Sequence, residues 1–268
     1  MIRGDSNLSV SIISQERWGG EALAKAALIE FLRKVGLVTK RTAVAVELGV
    51  GRQANRVDLA VIGEATHFYE IKSRRDTLCR LEAQVAAYET VGDFISVVVA
   101  SKHLNAVLSR VDSHVGVLEI LDFGGRTKVV PIRDPLPSPA WSTEAALALL
   151  PSEEIRHRLL GKLAPRRRSD VVSLALELSR DDVQSEVRRF LKSRYLPSTR
   201  NFLGRVARRK VTVDDLQTLH VWGRKLQVGE PIRSGFREEA DPHGESYLTH
   251  VGRCFGPVPD EVQRLLAG

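Results

Sequence analysis

Two acids and a lysine stand close together in the first third of the chain: Asp58 in RVDLAV, and Glu70 and Lys72 in the tripeptide EIK. Side chains alternate across a β-strand, so Glu70 and Lys72 share one face of a strand. Carboxylate oxygens suit Mg²⁺, and a divalent ion can promote attack of water on a phosphodiester. These residue types indicate a hydrolytic site in which the acids bind the metal, and Lys72 holds the attacking water or stabilises developing charge.

The same three residues also have a purely structural interpretation. Asp58 could cap a turn at a strand end, and Glu70 could pair with Lys72 on a solvated face, an ion pair worth about 0.5 kcal/mol. Because an ExK tripeptide occurs by chance in many proteins, the tripeptide alone does not decide between the two interpretations.

Further polar residues surround this group. Glu47 interrupts the apolar run AVAVEL, which predicts either another metal ligand or a position at a sheet edge. Arginine can clamp phosphate through two hydrogen bonds, and a serine hydroxyl can assist. The residues with phosphate-binding potential are Arg56, Ser73, Arg74, Arg75 and Arg80, each of which could instead be an ordinary surface residue.

The elements that must position these residues follow from periodicity. Apolar spacing predicts an amphipathic helix over 21–35 that ends at Gly36, and a second helix over 76–90 with Asp76 as its N-cap. Strands are predicted over 42–50, 56–63, 66–73, 94–101 and 115–122, with a short helix beginning at 103. This order predicts an α/β protein whose mixed sheet is flanked by helices.

Three prolines in the stretch 133–141 predict a linker between domains. The first domain would then span 1–132. Beyond the linker, the pattern predicts a mainly helical region over 142–228, with helices at 142–162, 169–179, 182–194, 199–209 and 213–224, and a tail of uncertain structure over 229–268.

Positive charge is concentrated in that helical region. The whole chain carries a net charge of +7, whereas residues 156–210 hold 16 Lys/Arg against 5 Asp/Glu. Such a segment, which includes Arg166, Arg167 and Arg168, predicts a surface that contacts the phosphate backbone of nucleic acid. A solubilising helical face without a partner is the alternative.

Taken together, the motifs RVDLAV, EIKS and DTLCRLEAQ with the following Tyr88 resemble the PD-(D/E)XK nuclease superfamily over residues 21–122. The match is most similar to an uncharacterised bacterial family of that superfamily. The resemblance implies a restriction-endonuclease-like core with the order αβββαβ. It also implies a metal-dependent nuclease that acts on DNA, with Mg²⁺ or Mn²⁺ as cofactor.

The resemblance assigns roles residue by residue. Asp58 and Glu70 match the two acids of the superfamily and Lys72 its lysine. Gln84 and Tyr88 reproduce the Gln-x-x-x-Tyr spacing of RecB-like nucleases, where this helix contacts nucleic acid or supports the site; alternatively, Tyr88 is core and Gln84 is a surface amide. Many members add a glutamate from the first helix, for which Glu21 is favoured over Glu30. Many also act as dimers, so a homodimer is a further expectation.

Other classes of protein lack support. The 7 histidines show no HExxH spacing, and the sequence has no Walker loop, no GxGxxG after a strand and no GxSxG elbow. The 2 cysteines form no CxxC pair, and no stretch approaches the ~20 apolar residues of a membrane span, which predicts a cytoplasmic protein. The main alternative is a catalytically inactive nuclease-fold protein that binds nucleic acid or serves as a regulatory interaction module.

Overall fold

The computed structural model describes residues 20–50, 55–123, 126–161 and 163–220. The predicted tail over 229–268 lies outside the described residues. The helices are α1 (Glu21–Lys34), α2 (Leu81–Glu89), α3 (Leu104–Leu108), α4 (Thr143–Leu147), α5 (Ser152–Glu154), α6 (Arg168–Ala175) and α7 (Arg180–Arg205). The strands are β1 (Ala43–Val50), β2 (Asn55–Ile62), β3 (Thr66–Lys72), β4 (Phe94–Ala100), β5 (Gly116–Phe123) and β6 (Arg126–Arg133). Short 3₁₀ turns cover Ser101–His103 and Val213–Leu219, and a π-helix covers Ile155–Leu160.

The strands form one sheet in sequence order, β1-β2-β3-β4-β5-β6. The pairs β1–β2, β2–β3 and β5–β6 are antiparallel, and β4 runs parallel to both β3 and β5. Every residue of β3 and β4 is buried, as expected for parallel strands covered on both faces. The predicted mixed α/β sheet and the order αβββαβ are confirmed.

One described strand, β6, was not predicted from the sequence. Pro131 interrupts the apolar pattern there, and proline cannot donate to a strand ladder. The residue is tolerated because β6 is an edge strand, where it pairs with Leu118.

The first helix is close to its predicted bounds, but it is rotated about its own axis relative to the predicted buried face. It ends at Lys34, and Gly36 follows with φ +80°, as the predicted glycine stop requires. Ala24, Lys25 and Leu28 are buried, whereas Leu23, which the sequence pattern assigned to the apolar face, is 47% exposed. The face turned toward the protein therefore includes a charged side chain.

The second helix begins at Leu81, so the predicted N-cap at Asp76 is wrong. Asp76 instead closes a turn directly after β3, where its Oδ2 accepts a hydrogen bond from the Ser73 amide at 2.7 Å. An aspartate that binds a nearby backbone amide in this way favours a turn over a helix start.

The C-terminal helices differ from prediction at the prolines. The predicted helix over 142–162 breaks at Pro151 into α4, α5 and the π-helix. The predicted helices over 182–194 and 199–209 are one helix, α7, with Pro197 inside it. Phe190 and Phe202 are buried on either side of Pro197, and this packing outweighs the roughly 3 kcal/mol that an interior proline costs.

The proline-rich stretch 133–141 follows the sheet closely. The Arg133 guanidinium donates to the Val115 carbonyl, and the Ser138 amide to the Asp93 carbonyl, both at 2.8 Å. The described residues on both sides of this stretch, up to His220, belong to one compact unit.

Helix α7 covers the edge strand β1. The Val44 amide donates to Thr199 Oγ1 at 2.8 Å, and both residues are buried. Within the described ranges, no helix has the length and apolar character needed to cross a membrane.

Candidate active site

The strand register places the acids at one end of the β1–β2–β3 meander. Val46 pairs with Leu59 and Leu48 with Val57, so Glu47 and Asp58 lie opposite each other on adjacent strands. The pairing of β2 with β3 ends at Leu59 and Tyr69. Beyond that point the Ile71 amide donates to Asp58 Oδ2 at 2.7 Å, which fixes the carboxylate at the strand junction.

Three carboxylates meet at this point. Oxygens of Glu21, Glu47 and Asp58 lie within 4.8 Å of one another, an arrangement that could hold a metal ion. Glu21 is exposed at the start of α1, whereas Glu47 and Asp58 are half-buried in the sheet. Among the residues that the structure describes, this is the one group of three or more such side chains.

Lys25 lies in the middle of the acidic group. Its Nζ is 2.7 Å from Glu21 Oε1 and 3.9 Å from Asp58 Oδ1, and it also donates to Glu47 Oε1. The side chain is 9% exposed. Burial lowers the pKa of Lys25, but the charge of Asp58 and the hydrogen bonds to Glu21 and Glu47 outweigh burial and raise the pKa overall.

The backbone at Glu47 is strained. Its φ of +54° lies in the left-handed region, which residues other than glycine rarely adopt. Such strain costs on the order of 1–3 kcal/mol and is found at functional sites more often than elsewhere. The strained residue is also the one whose carboxylate faces Asp58 across the strands.

The environment of Asp58 disfavours its charge. Burial, together with the nearby charge of Glu70, raises the pKa of Asp58 to about 7, although Lys25 and the Ile71 amide act in the opposite direction. A carboxyl group with so high a pKa is held in place at a cost in stability. Residues of this kind are concentrated at catalytic and binding sites.

The second half of the centre is built around Glu70 on β3. Lys72 Nζ donates to Glu70 Oε1 at 2.6 Å and to Gln84 Oε1 on α2 at 2.8 Å. Glu70 is 2% exposed and Lys72 is 7% exposed. This ion pair is therefore buried, and the alternative of a pair on a solvated face is wrong.

Tyr88 holds Glu70 from the opposite side. The Tyr88 hydroxyl lies 2.8 Å from Glu70 Oε2 and 2.7 Å from the Arg56 carbonyl oxygen, so its single hydrogen is shared between two acceptors. Burial and the charge of Glu70 raise the pKa of Tyr88 well above its usual range, which keeps the hydroxyl protonated. Gln84 and Tyr88 thus hold Lys72 and Glu70 in place from one helix.

The four predicted metal ligands divide into two sets. Glu21, Glu47 and Asp58 form the acidic group, whereas both oxygens of Glu70 are engaged by Lys72 and Tyr88. Oxygens bound to Mg²⁺ at about 2.1 Å stand about 3.0 Å apart when adjacent and about 4.2 Å apart when opposite, so the three carboxylates would have to draw closer together to share an ion. Their hard oxygen donors match the preference of a divalent cation, which would replace the Lys25 ammonium in this group.

Glu30, the less favoured glutamate of the first helix, lies outside the acidic group. Its Oε2 accepts from Arg33 Nη2 at 3.0 Å and from the Val211 amide at 3.2 Å. Glu30 therefore joins α1 to the segment that follows α7.

The predicted phosphate-binding residues fall into two groups. Arg56, Arg74 and Arg80 are exposed near the centre, and within the described part of the chain their side chains make no hydrogen bond or ion pair. Ser73 is buried, and its Oγ accepts from the Arg75 amide at 3.4 Å, so it belongs to the turn after β3.

The basic helical region uses many of its arginines internally. Arg168, one of the predicted phosphate contacts, donates to the Leu150 carbonyl at 3.0 Å and the Leu147 carbonyl at 3.3 Å, at the end of α4. Arg209 binds both oxygens of Asp215 at 2.7 Å. Further internal partners are found for Arg156, Arg188, Arg189, Arg200 and Arg205. Arg166 and Arg167 are exposed.

Sequence reasoning missed Lys25. The available signal was its i,i+4 spacing from Glu21, together with a position between alanines on a helix that is otherwise apolar on that side. A lysine in such a helix is usually solvated, so its burial becomes evident only when the three acids are placed around it.

The chain is similar to a family of phage proteins. The family model described as Bacteriophage P4 protein cII matches residues 15–220. Protein cII of Enterobacteria phage P4 is 28% identical over 260 residues, which covers 92% of this chain and 98% of that protein. No solved structure matches the chain. The matched range contains all the residues of the centre described above.

Proposed function

The chain belongs to the family described as Bacteriophage P4 protein cII, and we propose that it is a metal-dependent nuclease that hydrolyses DNA phosphodiester bonds. The observation that carries the proposal is the partly buried centre at the end of the β1–β2–β3 meander. Three carboxylates converge there beside a Glu70–Lys72 pair held by Gln84 and Tyr88. The sequence resemblance to PD-(D/E)XK nucleases supports the same assignment.

The residues that would hold the cofactor are Glu21, Glu47 and Asp58, with Glu70 beside them. A bound Mg²⁺ or Mn²⁺ would supply charge stabilisation for the phosphate and lower the pKa of a bound water. The strain at Glu47 supports this role. The strained residue places its carboxylate beside that of Asp58, where a cation is needed to offset the repulsion between like charges.

Lys72 is the group that would act on the reacting atoms. An ammonium has three hydrogens to donate, and Glu70 and Gln84 accept two of them. The third can be donated to the attacking water or to a phosphate oxygen. Because Lys72 is buried, its charge acts there with less screening than at the surface.

The experiment that tests the proposal compares the purified protein with its Lys72→Ala variant. Both are incubated with labelled linear, circular, single-stranded and branched DNA, with and without Mn²⁺. We expect Mn²⁺-dependent cleavage that falls by about 10²- to 10⁴-fold in the variant, the usual range for loss of a positioned catalytic group. Lys34→Ala, which removes an exposed lysine of α1, is the matched control and should cleave like the parent.

Equal cleavage by the parent and Lys72→Ala would assign the activity to another site or to a contaminant. No cleavage by the parent of any of the four substrates would count against a nuclease altogether. The range of substrates also separates endonuclease from exonuclease activity, because only an endonuclease cuts the circular DNA.

One observation favours a second candidate function. The Lys25 ammonium already neutralises part of the acidic group. A catalytically inactive protein that keeps the fold and binds nucleic acid would need no more than this compensation. A calorimetric titration with Mn²⁺ separates the two: the nuclease binds the ion and loses it in Asp58→Ala, whereas the inactive binder shows no such heat in either protein.

A further inference from the structure

We propose that a groove beside the acidic centre binds one or two nucleotides of a single DNA strand next to the cleaved phosphodiester. This inference rests on the proposed nuclease function and extends it to how the substrate is held. The groove is a cavity of about 500 Å³ at the carboxyl ends of β3 and β4. Cavities of this size bind small molecules or short segments of a larger ligand.

The groove adjoins both halves of the centre. Gly20 and Ala24 line it on one side, and these residues flank Glu21 and Lys25 in the chain. Ser73 lines it on the other side, directly after Lys72. A strand lying in the groove would therefore bring the neighbouring phosphodiester to the acids and the lysine.

The groove is lined by both apolar and positively charged side chains. Leu23, Ala100 and Ile120 give the groove an apolar wall, and Leu23 is 47% exposed there. Arg74 and Lys102 give it positive charge, and both are exposed with no side-chain partner among the described residues. Apolar surface next to unpaired cations suits a nucleotide, whose base and sugar are less polar than its phosphate.

The occupant is one strand of DNA rather than an acidic peptide or a free anion. The neighbouring carboxylates repel any anionic ligand unless a metal ion is bound there, and the proposed substrate of that ion is a phosphodiester, which a DNA strand in the groove carries.

The test measures binding without cleavage. Fluorescence anisotropy with a labelled single-stranded oligonucleotide, in Ca²⁺ buffer and at several salt concentrations, gives both the affinity and its salt dependence. The double variant Arg74→Ala/Lys102→Ala should bind about tenfold more weakly at low salt. Its slope of log affinity against log salt should be shallower by roughly 1.4, since each lost phosphate contact on a single strand accounts for about 0.7.

The matched control removes one exposed lysine and one exposed arginine elsewhere, in the segment before β1. Lys40→Ala/Arg41→Ala should lower affinity by less than threefold and leave the slope nearly unchanged. Arg166→Ala/Arg167→Ala, in the basic helical region that the sequence predicts to contact phosphate, is measured alongside. A further variant, Ser101→Glu, adds a negative charge to the groove without removing a cation, and it should weaken binding about as much as the double groove variant. A loss in Arg166→Ala/Arg167→Ala that exceeds the loss in the double groove variant, or a loss in Lys40→Ala/Arg41→Ala that equals it, would overturn the groove.

The binding and cleavage experiments can fail independently, so they distinguish an error in the proposed groove from an error in the proposed nuclease function. If the parent cleaves DNA but neither groove variant changes binding, the groove is wrong and the nuclease stands. If the groove variants weaken binding but no protein cleaves DNA, the strand-binding surface stands and the nuclease fails. Equal effects of the groove variants on duplex and single-stranded DNA would overturn the choice of a single strand.

Discussion

The acidic centre and the basic helical region are both rich in charged side chains, but the acids of the centre are crowded together whereas many arginines of the basic region are paired within the protein. At the centre, three carboxylates lie within 4.8 Å of one another, Glu47 has a strained backbone, and burial raises the pKa of Asp58 to about 7. In the basic region, Arg168 binds helix-end carbonyls and Arg209 binds Asp215 through two hydrogen bonds. The first arrangement costs stability and the second adds to it.

The difference between paired and crowded charges indicates which region is the better candidate for a functional site. Charges that are fully paired with the protein's own groups have few donors left for a ligand. Strain and crowded like charges persist only where the surrounding structure enforces them, and such places are often functional. Local charge density alone pointed to the basic region, whereas partners and strain point to the centre and its groove.

The largest effect that would sharpen this comparison is expected for Asp58→Asn. Asparagine can still accept from the Ile71 amide but offers the metal no charge, so cleavage should fall by about 10³-fold or more. Rates of Mn²⁺-dependent cleavage by parent and variant check this. A variant that keeps more than a tenth of the parent's rate would remove Asp58 from the mechanism.

Lys25→Met should give the next largest effect, on stability. The substitution leaves three crowded carboxylates without their cation, so the free energy of unfolding in metal-free buffer should fall by about 3 kcal/mol. Addition of Mn²⁺ should restore stability by more than it does in the parent, because the ion no longer competes with an ammonium. Thermal unfolding with and without Mn²⁺ measures both.

Lys34→Met serves as the control for that experiment, since Lys34 is 66% exposed and pairs only loosely, at 3.6 Å, with Glu30. If Mn²⁺ stabilises Lys25→Met less than it stabilises the parent, Lys25 assists metal binding rather than competing with it.

The raised pKa of Asp58 should make the free energy of unfolding depend on pH. The ordinary pKa of this carboxyl group, 3.8, applies in the unfolded chain, while the folded pKa is about 7. Between these values the unfolded chain has lost the proton and the folded chain keeps it, so stability falls as pH rises from about 4 to 7. In metal-free buffer, the free energy of unfolding of Asp58→Asn should therefore rise relative to that of the parent over this range, by up to roughly 1.4 kcal/mol per pH unit, and by no more above it. A constant difference at all pH values would contradict the raised pKa.

The smallest effect is expected in the basic region. Arg168→Ala removes hydrogen bonds to the carbonyls of Leu147, the last residue of α4, and of Leu150, which should lower the free energy of unfolding by about 1 kcal/mol. Cleavage and DNA affinity should change by less than twofold. Chemical denaturation and anisotropy measure the two quantities, and a large loss of affinity with unchanged stability would return Arg168 to the set of phosphate contacts.

Much of the centre could be predicted from the sequence because its geometry is local. Asp58, Glu70 and Lys72 lie on two strands joined by a tight turn, so the hairpin itself fixes which side chains meet. Glu47 was predicted because a charge in an apolar strand is anomalous. The αβββαβ order followed from periodicities that change between helix and strand.

The remainder depends on contacts between distant parts of the chain. The burial of Lys25 follows from the rotation of α1, which is set by its packing on β3, β6 and the turn at Val213–Leu219. The internal roles of the arginines depend on partners such as the Leu150 carbonyl that no local pattern reveals. Composition gives the number of charges but not whether they are paired.

The contact between Thr199 and Val44 has a consequence for any attempt to study the sheet by itself. A fragment that ends before residue 142 loses α7, and the amide and carbonyl groups along β1 become a template on which a second copy can add a strand. Such a fragment should self-associate through β1 and aggregate during expression. The C-terminal helices therefore protect this edge of the sheet from strand addition, whether or not they ever touch DNA.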